Sequence, residues 1–317
     1  MTPHVTHTRV QANGITFHVA VSGPKAAPPV LCLHGFPEGW MSWRPVMKQL
    51  GHLRVYAPDM RGYGDTDRPS CGYDVESLTD DIRALIEALG LDRPVLVGHD
   101  WGGELGWIFA HRYSAFISRL VVVNGTHPRT LVRAALQVDD LQTFRLAFVP
   151  FLAVPWLPEH LVATPPGRRL LKLSFTIREG RPGTMDTALV DELVARFHTA
   201  AEARAPIEYY RELLRTLILP GRRKRLNAIY DTPITVPVTQ VWGEEDEALS
   251  AEVALKADRD AGRSVEWRPL PGVGHFVSLE APDKLAREIA RVVPRAAGSG
   301  AGQRRRRQAG VPGRAAS

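Results

Sequence analysis

The chain has 317 residues, of which 44% are hydrophobic, 23% charged and 8% aromatic. These proportions are ordinary for a globular protein, and they exclude a disordered chain, a collagen-like repeat and a disulfide-stapled scaffold. The formal net charge is +6, but residues 296–317 hold five arginines and no acidic residue, so the rest is close to neutral. We therefore expect the positive charge to belong to a disordered basic tail over 296–317.

Several classes of protein are disfavoured by what the sequence lacks. The two cysteines, Cys32 and Cys71, provide neither a disulfide framework nor the spacing of metal ligands. The N-terminus has no cationic start followed by an apolar core, so no secretory signal is expected. The apolar runs are far shorter than the roughly 20 residues that span a bilayer. These features predict a soluble, cytoplasmic protein without a membrane span. They do not distinguish a monomer from an oligomer.

The predicted elements begin with a β-hairpin over residues 5–11 and 15–21, because Asn13-Gly14 favours a two-residue turn. Short apolar runs then alternate with helical patterns, such as the pattern that starts at Ser77 and ends at Gly90. Strands that are apolar without alternation are buried on both faces, as in a parallel sheet. The sequence therefore predicts an α/β fold, with strands at 30–33, 55–57, 95–97, 120–123 and 238–242.

The alternation of strands and helices stops between about 129 and 232. This stretch has helical periodicity, and prolines divide it into short helices. A helical insertion that leaves directly from a strand end is best interpreted as a lid over the carboxyl ends of the strands, where ligands bind in such sheets. We expect a lid over 129–232 rather than a separate helical domain.

The strongest chemical motif follows the predicted strand at 95–97 and precedes a helical pattern. It places Asp100 between small residues, in the sequence Gly98-His99-Asp100-Trp101-Gly102-Gly103. A nucleophile at a tight strand-to-helix turn needs small neighbours, and the helix that follows directs its positive end at the site. A carboxylate at this turn can displace a leaving group at a saturated carbon and form an ester. The alternative, an aspartate that only caps the helix, is weaker.

An aspartyl ester needs a base to activate water, and the base needs an acid to orient it. His275 follows the last predicted strand in a glycine-rich loop, in the order nucleophile, acid, histidine that this class of fold uses. The acid is ambiguous among four residues after the strand at 238–242, and we assign Asp246 rather than Glu244, Glu245 or Glu247. Asn124, at the end of an earlier strand, carries an amide and is a poorer partner for an imidazolium.

Hydrolysis of the ester also needs donors for the oxyanion that forms. The backbone N–H of Trp101, directly after the nucleophile, is one expected donor. The second is expected from the loop after the strand at 30–33, where it is the backbone N–H of Phe36.

Taken together, these motifs resemble the epoxide hydrolases of the α/β-hydrolase fold, which are relatives of the haloalkane dehalogenases. The segments that carry the resemblance are 34–38, 59–67, 98–103, 127–128 and 272–275. The resemblance implies a mostly parallel eight-stranded sheet with helices on both faces and a helical lid after the sixth strand. It implies a core over 1–128 and 233–295 and a cap over 129–232. It also implies Asp100 as nucleophile, with Asp246 and His275 as the acid and base.

Members of this family use two lid tyrosines to stabilise the oxygen that leaves the epoxide carbon. The resemblance places one of them at Tyr210, with Tyr209 beside it as a pocket residue. The other position holds Phe148, which has no hydroxyl, so Tyr210 acts alone, His160 or His198 substitutes, or the substrate differs. The resemblance further implies that the substrate contacts Phe148, Tyr209, Trp156 and His34.

The expected reaction is the conversion of a small apolar epoxide and water to a vicinal diol, without metal or cofactor. A haloalkane dehalogenase is the main alternative, with Trp101 and Trp156 as halide donors, although Phe36 stands where relatives carry asparagine. A non-catalytic binding protein is less favoured because nucleophile, acid and base are all present. Nucleic-acid binding is not expected, because the arginines at 304–307 have no interleaved aromatic residues.

Overall fold

The computed structural model describes residues 4–135 and 145–294, and it is organised around one eight-stranded sheet. The strands are β1 (Thr6–Ala12), β2 (Ile15–Ser22), β3 (Pro29–Leu33), β4 (Arg54–Pro58), β5 (Val95–His99), β6 (Arg119–Val123), β7 (Val238–Gly243) and β8 (Glu266–Leu270). Their order across the sheet is β1-β2-β4-β3-β5-β6-β7-β8. The predicted α/β fold with a mostly parallel sheet is therefore confirmed.

The only antiparallel pairings in the sheet are those made by β1 and β2. These two strands form the predicted hairpin, in which Ala12 pairs with Ile15 across a turn at Asn13 and Gly14. Both turn residues have positive φ, of 45° and 77°, which asparagine and glycine adopt at low cost. From β4 to β8 all neighbours are parallel.

The helices connect these strands and also form a long segment between β6 and β7. They are α1 (Arg44–Gln49), α2 (Val75–Ala88), α3 (Trp101–Tyr113), α4 (Pro128–Ala135), α5 (Val149–Ala153), α6 (Leu157–Val162), α7 (Pro165–Thr176), α8 (Thr187–Val194), α9 (Ala200–Ile218), α10 (Pro220–Tyr230), α11 (Ala251–Ala254), α12 (Ala257–Ala261), α13 (Val277–Glu280) and α14 (Pro282–Val292). No helix within 4–135 and 145–294 has the length and apolar character needed to cross a bilayer.

Helix α2 shows how a local cap sets an element boundary. The sequence prediction began this helix at Ser77, but it begins two residues earlier, at Val75. Asp74 is the N-cap, and its Oδ1 accepts a hydrogen bond of 2.9 Å from the Ser77 backbone N–H. An aspartate in this position satisfies a donor that the first helical turn leaves unpaired. The helix therefore starts at the earlier of two possible caps.

The connections around β3 create the place where a ligand site is expected in such a sheet. β3 pairs with β4 on one side and with β5 on the other. Because parallel crossovers are right-handed, the helix leading from β3 to β4 and the helix leading from β4 to β5 lie on opposite faces. The loops after β3 and β5 therefore separate at the carboxyl ends of the strands and leave a crevice between them.

The helices α4 to α10, which we call the helical insertion, pack onto this end of the molecule. Within the insertion, α9 packs against α5, α6 and α10. Buried apolar residues of the insertion, such as Phe175 and Tyr210, share one cluster with those of the sheet. The Tyr209 hydroxyl donates to the Arg61 backbone oxygen at 2.9 Å, and Arg44 pairs with Glu192. The predicted tail over 296–317 lies outside the described residues.

Candidate active site

Asp100 occupies a strained turn between β5 and α3. Its φ of 48° and ψ of −119° lie outside the ordinary regions for an L-residue, at a cost of about 1–3 kcal/mol. The turn is so close that a Cβ on Gly98 would lie 2.1 Å from the Gly102 backbone oxygen. A Cβ on Gly102 would lie 2.4 Å from the Leu33 backbone oxygen. Only glycine fits at these two positions, which explains the small residues of the sequence motif.

The Asp100 side chain does not serve the helix that it precedes. It is the N-cap residue of α3, yet its carboxylate accepts no capping hydrogen bond from that helix. Instead its Oδ1 accepts a 2.9 Å hydrogen bond from the backbone N–H of Phe36, in the loop after β3. The Trp101 N–H lies at the start of α3, where backbone donors have no partner within the helix. The helix-cap interpretation is therefore not supported.

His275 links two carboxylates. Its Nε2 lies 3.7 Å from Oδ2 of Asp100, and its Nδ1 lies 2.9 Å from Oδ2 of Asp246. The side chains of His275 and Asp246 are buried, whereas that of Asp100 is 19% exposed. A carboxylate that binds Nδ1 fixes the tautomer and orientation of the ring and leaves Nε2 to face the other carboxylate. The three side chains that the sequence assigned to catalysis are thus close together.

Asp246 is surrounded by donors. Its Oδ1 accepts the backbone N–H groups of Ala248 and Leu249 at 2.6 and 3.0 Å. Burial by itself raises the pKa of Asp246, but the neighbouring His275 and these hydrogen bonds outweigh burial and hold the pKa below its ordinary value. Asp246 is therefore an ionised partner for the imidazole.

Asn124 has a role that the sequence analysis missed. Its Nδ2 donates to Oδ2 of Asp246 at 2.6 Å, and its Oδ1 accepts the Gly243 backbone N–H at 2.8 Å. Sequence reasoning had considered this position only as an alternative acid. Here the amide supports the acid, since an amide can donate to a carboxylate while accepting from the strand that carries it.

A buried ion pair behind the site was also missed. Nδ1 of His99 lies 3.1 Å from the Glu38 carboxylate, and its Nε2 donates to the backbone oxygen of His275 at 2.9 Å. Glu38 also accepts the Gly35 backbone N–H at 2.8 Å, so the pair connects the loop after β3 with the loop that carries His275. Burial lowers the pKa of His99, but pairing with Glu38 outweighs burial and raises it to about 9. Both ring nitrogens then act as donors.

This pair predicts a specific pH dependence of stability. Replacing Glu38 with glutamine leaves a buried imidazolium without its counter-charge, at an expected cost of about 3–5 kcal/mol in the free energy of unfolding. Because folding raises the pKa of His99 from 6.5 to about 9 and lowers that of Glu38 from 4.5 to about 2, the pair stabilises fully between about pH 4.5 and 6.5. It loses its effect as the pH rises through about 9. The difference between wild type and Glu38→Gln should therefore shrink between pH 6.5 and 10, as measured by urea unfolding. An equal difference at both pH values would contradict the assignment.

The two adjacent tyrosines of α9 point in different directions. The Tyr210 ring lies 5.1 Å from the Trp101 ring and 5.4 Å from the Phe36 ring. Trp101 follows Asp100 in the chain, and the backbone N–H of Phe36 donates to the Asp100 carboxylate. Burial raises the pKa of Tyr210 and the Asp100 charge raises it further, so despite a hydrogen bond with the Trp101 side chain it is well above its usual value. Tyr210 therefore holds its proton beside Asp100.

Three of the residues expected to contact substrate lie in environments that do not favour that role. Trp156 is 66% exposed, and its ring lies near that of His160 at 6.2 Å. Tyr209 is buried, with its hydroxyl bound to the Arg61 backbone as described above. His34 is fully buried, and its nitrogens bind backbone groups of Gly35 and Met60. Sequence patterns could not distinguish these positions, since an aromatic residue packs equally well in a core and in a pocket.

Phe148, the fourth residue expected to contact substrate, does lie beside Tyr210. The ring of Phe148 is 5.8 Å from the ring of Tyr210. His160 and His198, the suggested substitutes for a missing hydroxyl, are both exposed. The described residues therefore bring Phe148, and neither histidine, to the buried ring cluster around Tyr210.

Potential metal ligands cluster elsewhere in the described part of the chain. His18, Asp59 and Asp65 have ligand atoms within 4.8 Å of one another. However, Nδ1 of His18 already bonds Oδ2 of Asp59 at 2.8 Å, and Asp59 accepts the backbone N–H of Trp40 at 3.0 Å. These atoms hold β2 and β4 to the following loop, so the cluster is explained by its structural bonds.

The amino-acid sequence is similar to those of known hydrolases over most of its length. The sequence model of a family described as having the alpha/beta hydrolase fold matches residues 28–282. Epoxide hydrolase 3 of Mus musculus is 32% identical over 292 residues, which cover 90% of this chain and 76% of that protein. Epoxide hydrolase 4 of Homo sapiens is 31% identical over 87% of this chain and 75% of its own length.

Solved structures agree with the sequence relatives. Epoxide hydrolase VrEH1 from Vigna radiata matches with a TM-score of 0.74 and 28% identity, over 90% of this chain and 97% of that one. Cfl2 from Burkholderia cenocepacia matches with a TM-score of 0.80 and 28% identity, over 91% and 95% of the two chains. The chain therefore belongs to the α/β-hydrolase-fold family of epoxide hydrolases.

Proposed function

We propose that this protein is a hydrolase that converts an apolar epoxide to a vicinal diol. The observation that carries the proposal is the position of the Asp100 carboxylate, at a strained turn with His275 on one side and the Tyr210 ring cluster on the other. The relatives named epoxide hydrolases support the same substrate class. The rings of Phe36 and Phe148 beside Tyr210, and the ring of Phe197 beside Phe36, favour an apolar substrate.

The first step opens the ring. An oxygen of Asp100 attacks a carbon of the epoxide, the carbon–oxygen bond breaks, and its electron pair goes to the epoxide oxygen. Tyr210, which holds its proton because its pKa is raised, donates to that oxygen as charge develops. The product of this step is a hydroxyalkyl ester of Asp100.

The second step hydrolyses the ester. Nε2 of His275, oriented by Asp246, takes a proton from water, and the resulting hydroxide attacks the carboxyl carbon of Asp100. The backbone N–H of Phe36 already contacts the Asp100 carboxylate and, with that of Trp101, stabilises the tetrahedral oxyanion. Collapse of this intermediate breaks the bond to the substrate oxygen, which takes the proton back from His275 and leaves as the diol. The proton that remains on the Asp100 carboxyl group returns to Tyr210, so that the carboxylate, the imidazole and the phenol are all regenerated.

The helical insertion acts in this proposal as a cap over 129–232, above a core formed by 1–128 and 233–295. Its contribution is Tyr210, which α9 holds over Trp101 and Phe36. The apolar rings that accompany Tyr210 exclude water, and exclusion of water strengthens the hydrogen bond to a developing alkoxide.

A choice between substrates tests the proposal. The purified protein is incubated with styrene oxide and, separately, with 1-bromobutane, and diol and bromide are measured. We expect diol without bromide release. The dehalogenase alternative lacks support for its second halide donor because Trp156 is exposed. Bromide release without diol formation would overturn the proposal in favour of that alternative.

Adjacent tyrosines provide a matched pair of variants. Tyr210→Phe removes the donor to the epoxide oxygen, so we expect formation of the ester to slow by about 100-fold, as when one such donor is lost elsewhere. Tyr209→Phe removes a buried hydrogen bond to Arg61 instead, so it should cost about 1–3 kcal/mol of stability with little effect on ester formation. Rapid-quench measurement of the ester and thermal unfolding separate the two effects. Equal kinetic losses in both variants would contradict the assigned role of Tyr210.

A further inference from the structure

A cation lies beside the lid position that has no hydroxyl. The Arg178 guanidinium carbon is 5.8 Å from the centroid of the Phe148 ring, in a cation–π arrangement. The Phe148 ring is in turn 5.8 Å from the Tyr210 ring. These contacts place the Phe148 ring between two side chains near Asp100. One is Tyr210, whose hydroxyl can donate a hydrogen bond, and the other is the positively charged Arg178.

The backbone of Arg178 is held against the loop that carries the base. Its carbonyl oxygen accepts the His275 backbone N–H at 3.0 Å. The approach is so close that a Cβ on Gly274 would lie 2.1 Å from that oxygen. The Glu280 carboxylate accepts the backbone N–H groups of both Gly180 and Gly274 at 2.8 Å, which joins the two loops. Arg178 thus has a fixed position relative to the proposed base.

The charge of Arg178 has no counter-charge among the residues that the structure describes. Within residues 4–135 and 145–294, its guanidinium has no hydrogen bond and no ion pair, although the side chain is half-buried. Arg211 of α9 shows the contrasting arrangement, since it is buried in an ion pair with Glu159 at 2.6 Å. A half-buried cation without a counter-charge among the described residues can stabilise negative charge that develops near it.

One target of that effect is Tyr210. Burial and the charge of Asp100 both raise the pKa of Tyr210, whereas the positive charge of Arg178 acts in the opposite direction. A cation that makes a phenol more acidic also makes it a better donor to an alkoxide, and it favours any negative charge that the phenol oxygen takes up.

We propose that Arg178 stabilises the negative charge that develops on the epoxide oxygen and on Tyr210 during ring opening, in place of a second lid hydroxyl. The inference rests on the proposed epoxide hydrolysis. In that step the Asp100 oxygen forms a bond to carbon and the epoxide carbon–oxygen bond breaks. The electron pair passes to the oxygen that Tyr210 protonates, and Arg178 exchanges no proton. Arg178 is therefore an electrostatic and positioning residue that acts through Tyr210.

The test is a mutant cycle between Arg178 and Phe148. With styrene oxide, a neutral substrate, Arg178→Gln should slow formation of the Asp100 ester by about 10- to 100-fold and leave hydrolysis of the ester nearly unchanged. Arg178→Lys should recover most of the loss, because it restores the charge. When Phe148→Tyr supplies the missing hydroxyl, Arg178→Gln should cost less than about 3-fold, since residues that share one role are not additive. Rapid-quench mass spectrometry measures both steps.

Controls distinguish this inference from simpler explanations. Arg181→Gln removes an exposed arginine three residues away and should leave both steps unchanged. If Arg178→Gln fails to fold by thermal unfolding, Arg178→Met, which keeps the apolar stem, replaces it. The inference is overturned by three results: equal slowing of both steps, no rescue by lysine, or the same loss with Phe148→Tyr present.

A fourth contrary result concerns the substrate. If Arg178→Gln raises the KM for glycidate, an epoxide with a carboxylate, but has no effect with styrene oxide, then Arg178 binds an anionic substrate group and the inference is wrong. Failure of the role of Arg178 can be distinguished from failure of the proposed function. If the wild type forms diol and the Arg178→Gln variant forms the ester at the wild-type rate, only the role of Arg178 is wrong. If the wild type forms no diol, the proposed function is wrong as well.

Discussion

Replacing Asp100 with alanine is expected to abolish diol formation, with a loss of about 10⁶-fold, the order found when the nucleophile of a serine hydrolase is removed. The reason is that the carboxylate is the only group at the strained turn that can attack the epoxide carbon, and no other step can begin without the ester. Product is measured by chromatography, and ester is measured by intact mass. The same substitution removes one hydrogen bond, from Phe36, so the fold should be retained.

Circular dichroism and thermal unfolding provide the control for Asp100→Ala. A folded variant without activity assigns the loss to the missing carboxylate. Turnover at the wild-type rate in a folded Asp100→Ala variant would remove the nucleophile from the mechanism. The proposal that this protein opens epoxides by covalent catalysis would then be wrong.

Replacing His275 with glutamine is expected to separate the two steps. Ring opening depends on Asp100 and Tyr210, so the ester should still form. Its hydrolysis needs a base, which glutamine cannot provide, and steady-state turnover should fall by about 10³-fold. Incubation with styrene oxide should therefore release little diol, while the protein mass rises by the mass of one substrate molecule. Glutamine can still donate to Asp246, which limits the cost of leaving a buried carboxylate unpaired.

The control for this trap is the double variant Asp100→Ala with His275→Gln. It should gain no mass, because the residue that carries the adduct is absent. Proteolysis of the single variant should locate the adduct on the peptide that contains Asp100. An adduct on another residue, or wild-type turnover in the single variant, would contradict the assignment of His275 as the base.

The turn at Asp100 could be predicted because its steric constraints leave a clear spacing of small residues in the sequence. Gly98 faces the backbone of Gly102 within the turn, whereas Gly102 faces the backbone of Leu33 at the end of β3. The hairpin at Asn13-Gly14 was equally readable, since the turn type selects its residues. The beginning of α2 shows the limit of this reading. The predicted helical pattern began at Ser77, whereas the helix begins at Val75 behind its N-cap Asp74.

Contacts between distant segments were not predictable in the same way. No motif indicated that His99 would donate to the backbone of His275, or that Asn124 would support Asp246. In the helical insertion, Trp156 and Tyr209 had the residue types of pocket residues, but one is exposed and the other is bound to Arg61. Residue type alone does not say whether an aromatic side chain faces solvent, core or pocket.

The amino-acid sequence by itself determined the α/β class, the alternation of strands and helices along the chain, the strained turn and the chemical types of the three central side chains. Those features depend on short-range periodicity and on backbone geometry over a few residues. The tertiary structure alone decided which tyrosine lies beside Asp100, and that the Arg178 guanidinium lies over Phe148. The physical reason is that such contacts depend on how packed helices and loops from separate parts of the chain meet, and burial and pairing are set only there.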